Sequence, residues 1–361
     1  MKRFRRDTRT RRDDKAVKGK SKIALPLALA GAFLLVDGPA KAGNGPLRAP
    51  RSIVAACTSM NGSVIEVANQ LHDMLKIGGE MGIKEQKGIY NMPRTAAEVG
   101  KDKKGDCSEL TYYFVSCALG AYAANGEVKI GAIEANVKGY PSNIRHILPF
   151  LLVKGDVPEK YVFKDFENDE KFRASVFENL DIEGNGWKMV VIDLQSPEFG
   201  KIKDQINDLT PVNLDGIKGA YYREAGMHYL KKKKVDKAQT AFETAVKYNP
   251  KDGLSHTNLS VLLMRKKDLE KAFEHAEAAY NSLPDNEGVK ENYMVALVNM
   301  GIKSMNDGVG EFNGGNPEEG VEKLKDAKAY FEEALKLSPK DKNAKKGLKE
   351  ANRLLDQIGA Q

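Results

Sequence analysis

The sequence predicts an α+β domain followed by an all-α helical solenoid. Three observations carry that prediction. Between residues 63 and 194 helical patterns come first and short β-branched runs follow, the order of an α+β rather than an alternating α/β chain. In the C-terminal third, small residues and proline recur with a fixed period, the mark of stacked repeats. Hydrophobic residues make up 41% of the 361 residues and charged ones 30%, enough apolar material for more than one core.

The first 42 residues are set apart. Residues 1–22 hold eleven Lys and Arg against three Asp, a surplus of eight that exceeds the +7 of the whole chain. Asp37 and Lys41 cancel, so the body from residue 43 onward carries −1. A basic nucleic-acid-binding surface on the body is excluded on charge. The basic segment precedes fourteen uncharged, mainly apolar residues, Ile23–Val36, and then Ala40-Lys41-Ala42, a small-x-small cleavage pattern. These are the parts of a signal peptide over 1–42, with a mature chain starting near Gly43 that works in the periplasm or outside the cell. Fourteen residues fall short of the about 20 that span a bilayer. The alternative is an uncleaved anchor through 23–36, and no other contact with a membrane is expected.

The pattern over 63–82 is helical and ends at glycines, and Thr95 with Glu98 is a capping-box pair for a short helix. From Leu110 the apolar residues Leu110, Phe114, Cys117, Ala118 and Ala121 fall at helical spacing, so a buried helix is predicted. Asp106 is its cap, and Ser108 and Glu109 suit its first turn. After it, 127–137, 147–153 and 188–194 read as strands, with a turn at Glu183-Gly184-Asn185-Gly186 before the last.

Gly226, Tyr229, Ala238, Phe242, Ala245 and Pro250 recur in register as Ser260, Leu263, Ala272, Ala276, Ala279 and Pro284, the two prolines 34 residues apart. Ala327, Phe331, Ala334 and Pro339 repeat the second half after one period plus 21 residues, and the Gly-rich segment 306–320 is the expected place for that extra length. This pattern resembles tetratricopeptide (TPR) repeats, which implies helix pairs that bind a protein or peptide partner on a concave face. The Lys-rich 341–358 then reads as a solvating cap helix. The predicted domains are 43–213 and 214–361.

The candidate chemistry sits at Cys107. A helix N-terminus favours thiolate over thiol, so this position makes a cysteine nucleophilic. Nucleophilic catalysis also needs a base and a group to orient it. His146 stands before one predicted strand and Asp193 ends the next, so pairing of those strands brings the two to one sheet edge facing Cys107. The stretch 95–123, with Gly105-Asp106-Cys107-Ser108-Glu109, resembles the nucleophile region of the transglutaminase-like superfamily. Trp187 leading to Asp193 is similar to that family's later strand. The resemblance covers roughly residues 90–200 and implies a papain-like fold with Cys107 as nucleophile, His146 as general base and Asp193 as orienting acid. It implies attack on an amide carbonyl, ending in hydrolysis, deamidation or acyl transfer. The chain departs from the family pattern after His146, where an aromatic is usual, and after Asp193, where Leu194 replaces proline.

Of the other cysteines, Cys117 lies in the apolar stripe; a Cys57–Cys117 disulfide that leaves Cys107 free is compatible with export. His72 reads as a surface or edge-packing residue. His228, His256 and His275 share no ligand spacing, so no metal is expected. Lys231–Lys234 reads as a solvated turn. No phosphate loop or dinucleotide fingerprint is present, and no cofactor is expected. Two functions stand against each other: an exported transglutaminase-like cysteine enzyme, and a catalytically silent exported scaffold whose working surface is the repeat array.

Overall fold

A computed structural model of the chain describes residues 46–47, 51–85, 92–122, 125–138 and 145–359. The expected signal peptide, residues 1–42, lies outside them. No helix among the described residues is long and apolar enough to cross a membrane.

Four helices open the described chain: α1 (Arg51–Thr58), α2 (Val64–Leu75), α3 (Ala96–Asp102) and α4 (Cys107–Tyr122). Capping boxes start α2 at Ser63–Glu66 and α3 at Thr95–Glu98, each satisfying two otherwise orphaned N–H groups. Two-residue strands β1 (Lys84–Glu85) and β2 (Lys104–Gly105) pair in parallel just ahead of Cys107. The main sheet is antiparallel, in the order β5-β4-β3-β6, from β3 (Val128–Val137), β4 (Arg145–Lys154), β5 (Trp187–Val191) and β6 (Ile206–Val212). Helices α5 (Lys164–Asn168) and α6 (Glu170–Leu180) lie between β4 and β5 in sequence.

Alternation along β4 builds two cores. Ile147, Leu151 and Val153 join the clusters formed with α4, while Leu148, Phe150 and Leu152 pack with Phe166, Phe172 and Val176 from α5 and α6. Burying each such side chain contributes about 1.5–3 kcal/mol. Gly131 is glycine for a local reason: it pairs with Phe150 across the ladder, and a Cβ there would lie 2.5 Å from the Phe150 ring.

The C-terminal part consists of helix hairpins α7 (Leu214–Lys231) with α8 (Val235–Tyr248), α9 (Gly253–Arg265) with α10 (Leu269–Ser282), and α11 (Glu287–Asn313) with α12 (Pro317–Leu337), closed by α13 (Lys342–Gly359). Small residues sit at the crossings: Gly226 meets the ring of Phe242, and Gly301 that of Phe331. The extra length of the third pair falls around the Gly-rich segment, and little of that segment is loop. It is helix, for α11 has 27 residues and α12 has 21, against 13 and 14 in α9 and α10. Its glycines serve close approach instead, since a Cβ on Gly308 would stand 2.8 Å from the carbonyl oxygen of Gly320.

The predicted boundary at 213/214 runs through a packed region. Asn213 alone separates β6 from α7, and its side chain caps the helix by accepting from Gly216 N–H at 2.9 Å. Ile217 and Ala220 of α7 share a core with Tyr112, Val115, Ala132, Ile147 and Val212. Arg223 reaches Glu134 of β3 at 2.5 Å and Asp252, the N-cap of α9, at 2.9 Å. The first repeat helix is therefore part of the wall of the α+β domain.

Candidate active site

The local sequence fixes Cys107 at the start of α4. Glu109 N–H donates to the Asp106 carboxylate at 3.1 Å, and Asp106 N–H donates back to Glu109 at 3.1 Å, a reciprocal cap. Glu109 is 1% exposed and is clamped by Arg94, whose Nε and Nη2 reach it at 3.0 and 2.6 Å. Asp106 also draws on Ser108 N–H. Among the described residues the Cys107 N–H is left without an acceptor, at the positive end of a 16-residue helix. That is the position from which a backbone donor can meet an oxyanion.

The sulfur lies against β4 just beyond the end of β5. Ile147 N–H is directed at it, and Thr111 Oγ1 donates to Ile147 O at 2.9 Å and to Cys107 O at 2.8 Å. The first turn of α4 thus takes the flank of β4 that β5 leaves open. A narrow cleft beside the sulfur is walled by Thr111, Ile147, Pro149, Asp193 and Gln195.

The electrostatics reverse the expectation of a ready thiolate. Burial, then the charge of Asp106, then that of Glu224 push the Cys107 thiol up to about 12, and the Ile147 N–H and the Ser108 hydroxyl offset this only in part. The macrodipole is outweighed because its N-terminal N–H groups are spent on Asp106 while the carboxylates stay close. Asp106 itself is raised to about 6, by burial and by Glu109.

His146 is buried on β4 opposite Ala135. Alternation sends Ile147 toward α4 and His146 to the other side of the strand with Leu148. Burial lowers its pKa, against the pull of Asp193 and Asp204. Asp193 is 1% exposed, and its two carboxylate oxygens accept from Gln195 N–H at 2.8 Å and Lys203 N–H at 2.7 Å. So Cys107 and Asp193 share the cleft and His146 lies within the field of Asp193. Among the described residues no hydrogen bond joins His146 to either.

Three features were not anticipated from sequence. His72 is fully buried, not a surface or edge residue, and its Nε2 lies 3.2 Å from both Asp193 O and Ser196 O. His256 and His275 meet across one repeat, Nδ1 to Nδ1 at 2.8 Å, with His256 Nε2 on Pro250 O. Glu224 of α7 enters the site: its carboxylate accepts from Ser108 Oγ and, at 3.3 Å, from Tyr112 OH. The only sequence sign of the last was a charged pair, Arg223-Glu224, just ahead of the crossing glycine Gly226. Cys57 and Cys117 are both buried free thiols, in contact with each other.

Residues 223–287 and 320–341 match family models of the tetratricopeptide repeat. The C-terminal region carries TPR repeats. Among solved structures, the array is similar to the first TPR of Spaghetti (RPAP3) bound to an HSP90 peptide, at 20% identity, covering 38% of this chain and 93% of that one, with a TM-score of 0.26. It is also similar to the Arabidopsis OM64 TPR domain, at 19% identity over 38% and 98%, TM-score 0.26. The first TPR domain of human RPAP3 matches at 19% identity over 40% and 96%, TM-score 0.25. No curated protein matches the chain. TPR repeats point to protein–protein interaction.

Proposed function

We propose that the chain is an exported TPR protein whose α+β domain carries a transglutaminase-like thiol site acting on an amide of a protein or peptide held by the repeats. One observation carries this reading: Cys107 stands at a helix N-terminus, its own N–H without an acceptor among the described residues, and Asp193 shares its cleft. In the proposed reaction the sulfur attacks the amide carbonyl, the Cys107 N–H holds the oxyanion, and His146 with Asp193 manages the proton of the leaving amine. Water or an incoming amine then resolves the thioester. The test is ammonia release from glutamine-bearing peptides, with and without an alkylamine, by the full chain and by Cys107→Ala. Release that depends on Cys107 supports the reading; equal background from both proteins overturns it. The export part is tested by N-terminal sequencing of the protein from its own cells, which should find a start near Gly43.

A second reading keeps only the repeats at work. It is favoured by a thiol pushed up to about 12 and by the missing Cys107–His146 hydrogen bond. In that case Cys107→Ala captures the same partners as the parent chain.

A further inference from the structure

The group that the structure brings to the Cys107 proton comes from the repeat array. Cys107 Sγ lies 3.9 Å from Ser108 Oγ, and Ser108 Oγ donates to Glu224 Oε1. Tyr112 OH holds the other carboxylate oxygen at 3.3 Å. The chain of contacts is continuous from sulfur to carboxylate, and each group has the polarity its neighbour requires. Ser108 is 5% exposed, and it lies 116 residues from Glu224 in sequence. α7 is fixed in place by Arg223 on Glu134 and Asp252 and by the Tyr112–Tyr221 ring contact at 5.6 Å.

We propose that Glu224, acting through Ser108, shares a single proton with Cys107, so that the first TPR helix is a positioning element of the thiol site. This rests on the amide-directed reading above and moves from His146 to Glu224 both the acceptance of the thiol proton and its return to the leaving amine. On attack, the S–H proton passes to Ser108 Oγ while the serine proton passes to Glu224, and the sulfur pair forms the S–C bond. When the C–N bond breaks, the proton returns along the same chain to the amine. Protons and electrons balance without another reactant.

The surrounding charges suit this role. Burial and Asp106 raise the Glu224 carboxyl to about 8, with Glu109 adding to the rise and Arg223 opposing it. Tyr112 from α4 and Tyr221 from α7 also face it. The thiol in turn faces Asp106, Glu224, Ser108 and the Ile147 N–H. The two groups therefore lose their first proton as a pair, with the carboxylate tautomer dominant and the thiolate tautomer a fixed minor share.

The experiment is the pH dependence of Cys107 alkylation by iodoacetamide in the full chain, read by mass spectrometry at that residue. A shared proton makes the rate rise to about pH 8 and then level off. Glu224→Gln removes the plateau, and the rate climbs about tenfold per pH unit through that range. Ser108→Ala keeps the inflection but lowers the plateau at least severalfold. A parent profile without a plateau, an inflection that survives Glu224→Gln, or a Ser108→Ala plateau equal to the parent's overturns the proposal. No amide substrate is involved. A relay found without Cys107-dependent turnover sinks the enzyme reading alone, and turnover with a profile indifferent to Glu224 sinks the relay alone.

Discussion

The ring of His72 anchors the backbone of Asp193. Its Nε2 sits 3.2 Å from the Asp193 carbonyl oxygen and 3.2 Å from that of Ser196, with the ring edge against Phe199 at 5.7 Å. Helix α2 thus fixes the loop after β5 that carries Asp193, two residues beyond the strand's end at Val191. Replacing His72 by Ala removes a fully buried ring and leaves two carbonyls short of a donor. The expected loss is about 2–4 kcal/mol in urea denaturation.

The same histidine sets a pH dependence. Burial lowers the folded pKa of His72, as it does for His146 and His275. Each is then less protonated in the folded than in the unfolded chain, whose histidines titrate near about 6.5. Their stabilising contribution is complete above that value and is lost as pH falls through the folded pKa values. Denaturant midpoints measured from pH 8 to 5 should fall on the acid side, and His72→Gln should flatten that fall. A midpoint that rises on acidification contradicts it.

Arg223 joins the sheet domain to the second repeat through Glu134 and Asp252, both nearly buried. Arg223→Met leaves two buried carboxylates without their cation. The expected cost is about 3–5 kcal/mol, and calorimetry should find the single transition broadened or split between domain and array.

Two glycines two residues apart on α11 should respond oppositely. Gly308→Ala puts a Cβ 2.8 Å from Gly320 O and should cost roughly 1–3 kcal/mol by parting α11 from α12. Gly310→Ala on the same helix meets nothing within 4 Å and should stabilise by about 0.5–1 kcal/mol. Thermal melts of the two variants decide it.

Thiol titration offers a direct check on the cysteines. Cys57 and Cys117 are 0% exposed, whereas Cys107 retains some surface. If both buried thiols stay reduced, a small disulfide reagent should modify one thiol in the native chain and three in denaturant. A denatured count of one would mean that Cys57 and Cys117 are joined.

Much of the architecture was legible because it rests on local rules. The capping pair Thr95–Glu98, the apolar stripe of α4 and the β-branched runs of β3 to β5 reflect backbone chemistry within a few residues. The crossing positions at Gly226 and Phe242 repeat because two helices of fixed thickness must meet there. What stayed hidden depends on distant partners. β6 alternates weakly and contains Pro211, which an edge position tolerates but which hides the strand pattern in the sequence. The Gly-rich segment marked where the extra length would fall, but the role of Gly308 and Gly320, close helix approach, is visible only with both helices present. At the candidate site, residue types at Cys107, His146 and Asp193 could be chosen from spacing. The alternation that turns His146 away from the α4 side, and the carboxylate of Glu224, could not.

The packing of α7 into the sheet domain also has a mechanical meaning. A chain pulled from its two ends meets unequal resistance along its length. The outermost helix, α13, is held chiefly by α12 and α11 and peels away first. The junction at Ile217, Ala220 and Arg223 gives way only with the sheet itself. Tension on the C-terminal end would therefore be borne first by the distal hairpins, while the packing around Cys107 holds until they have unravelled.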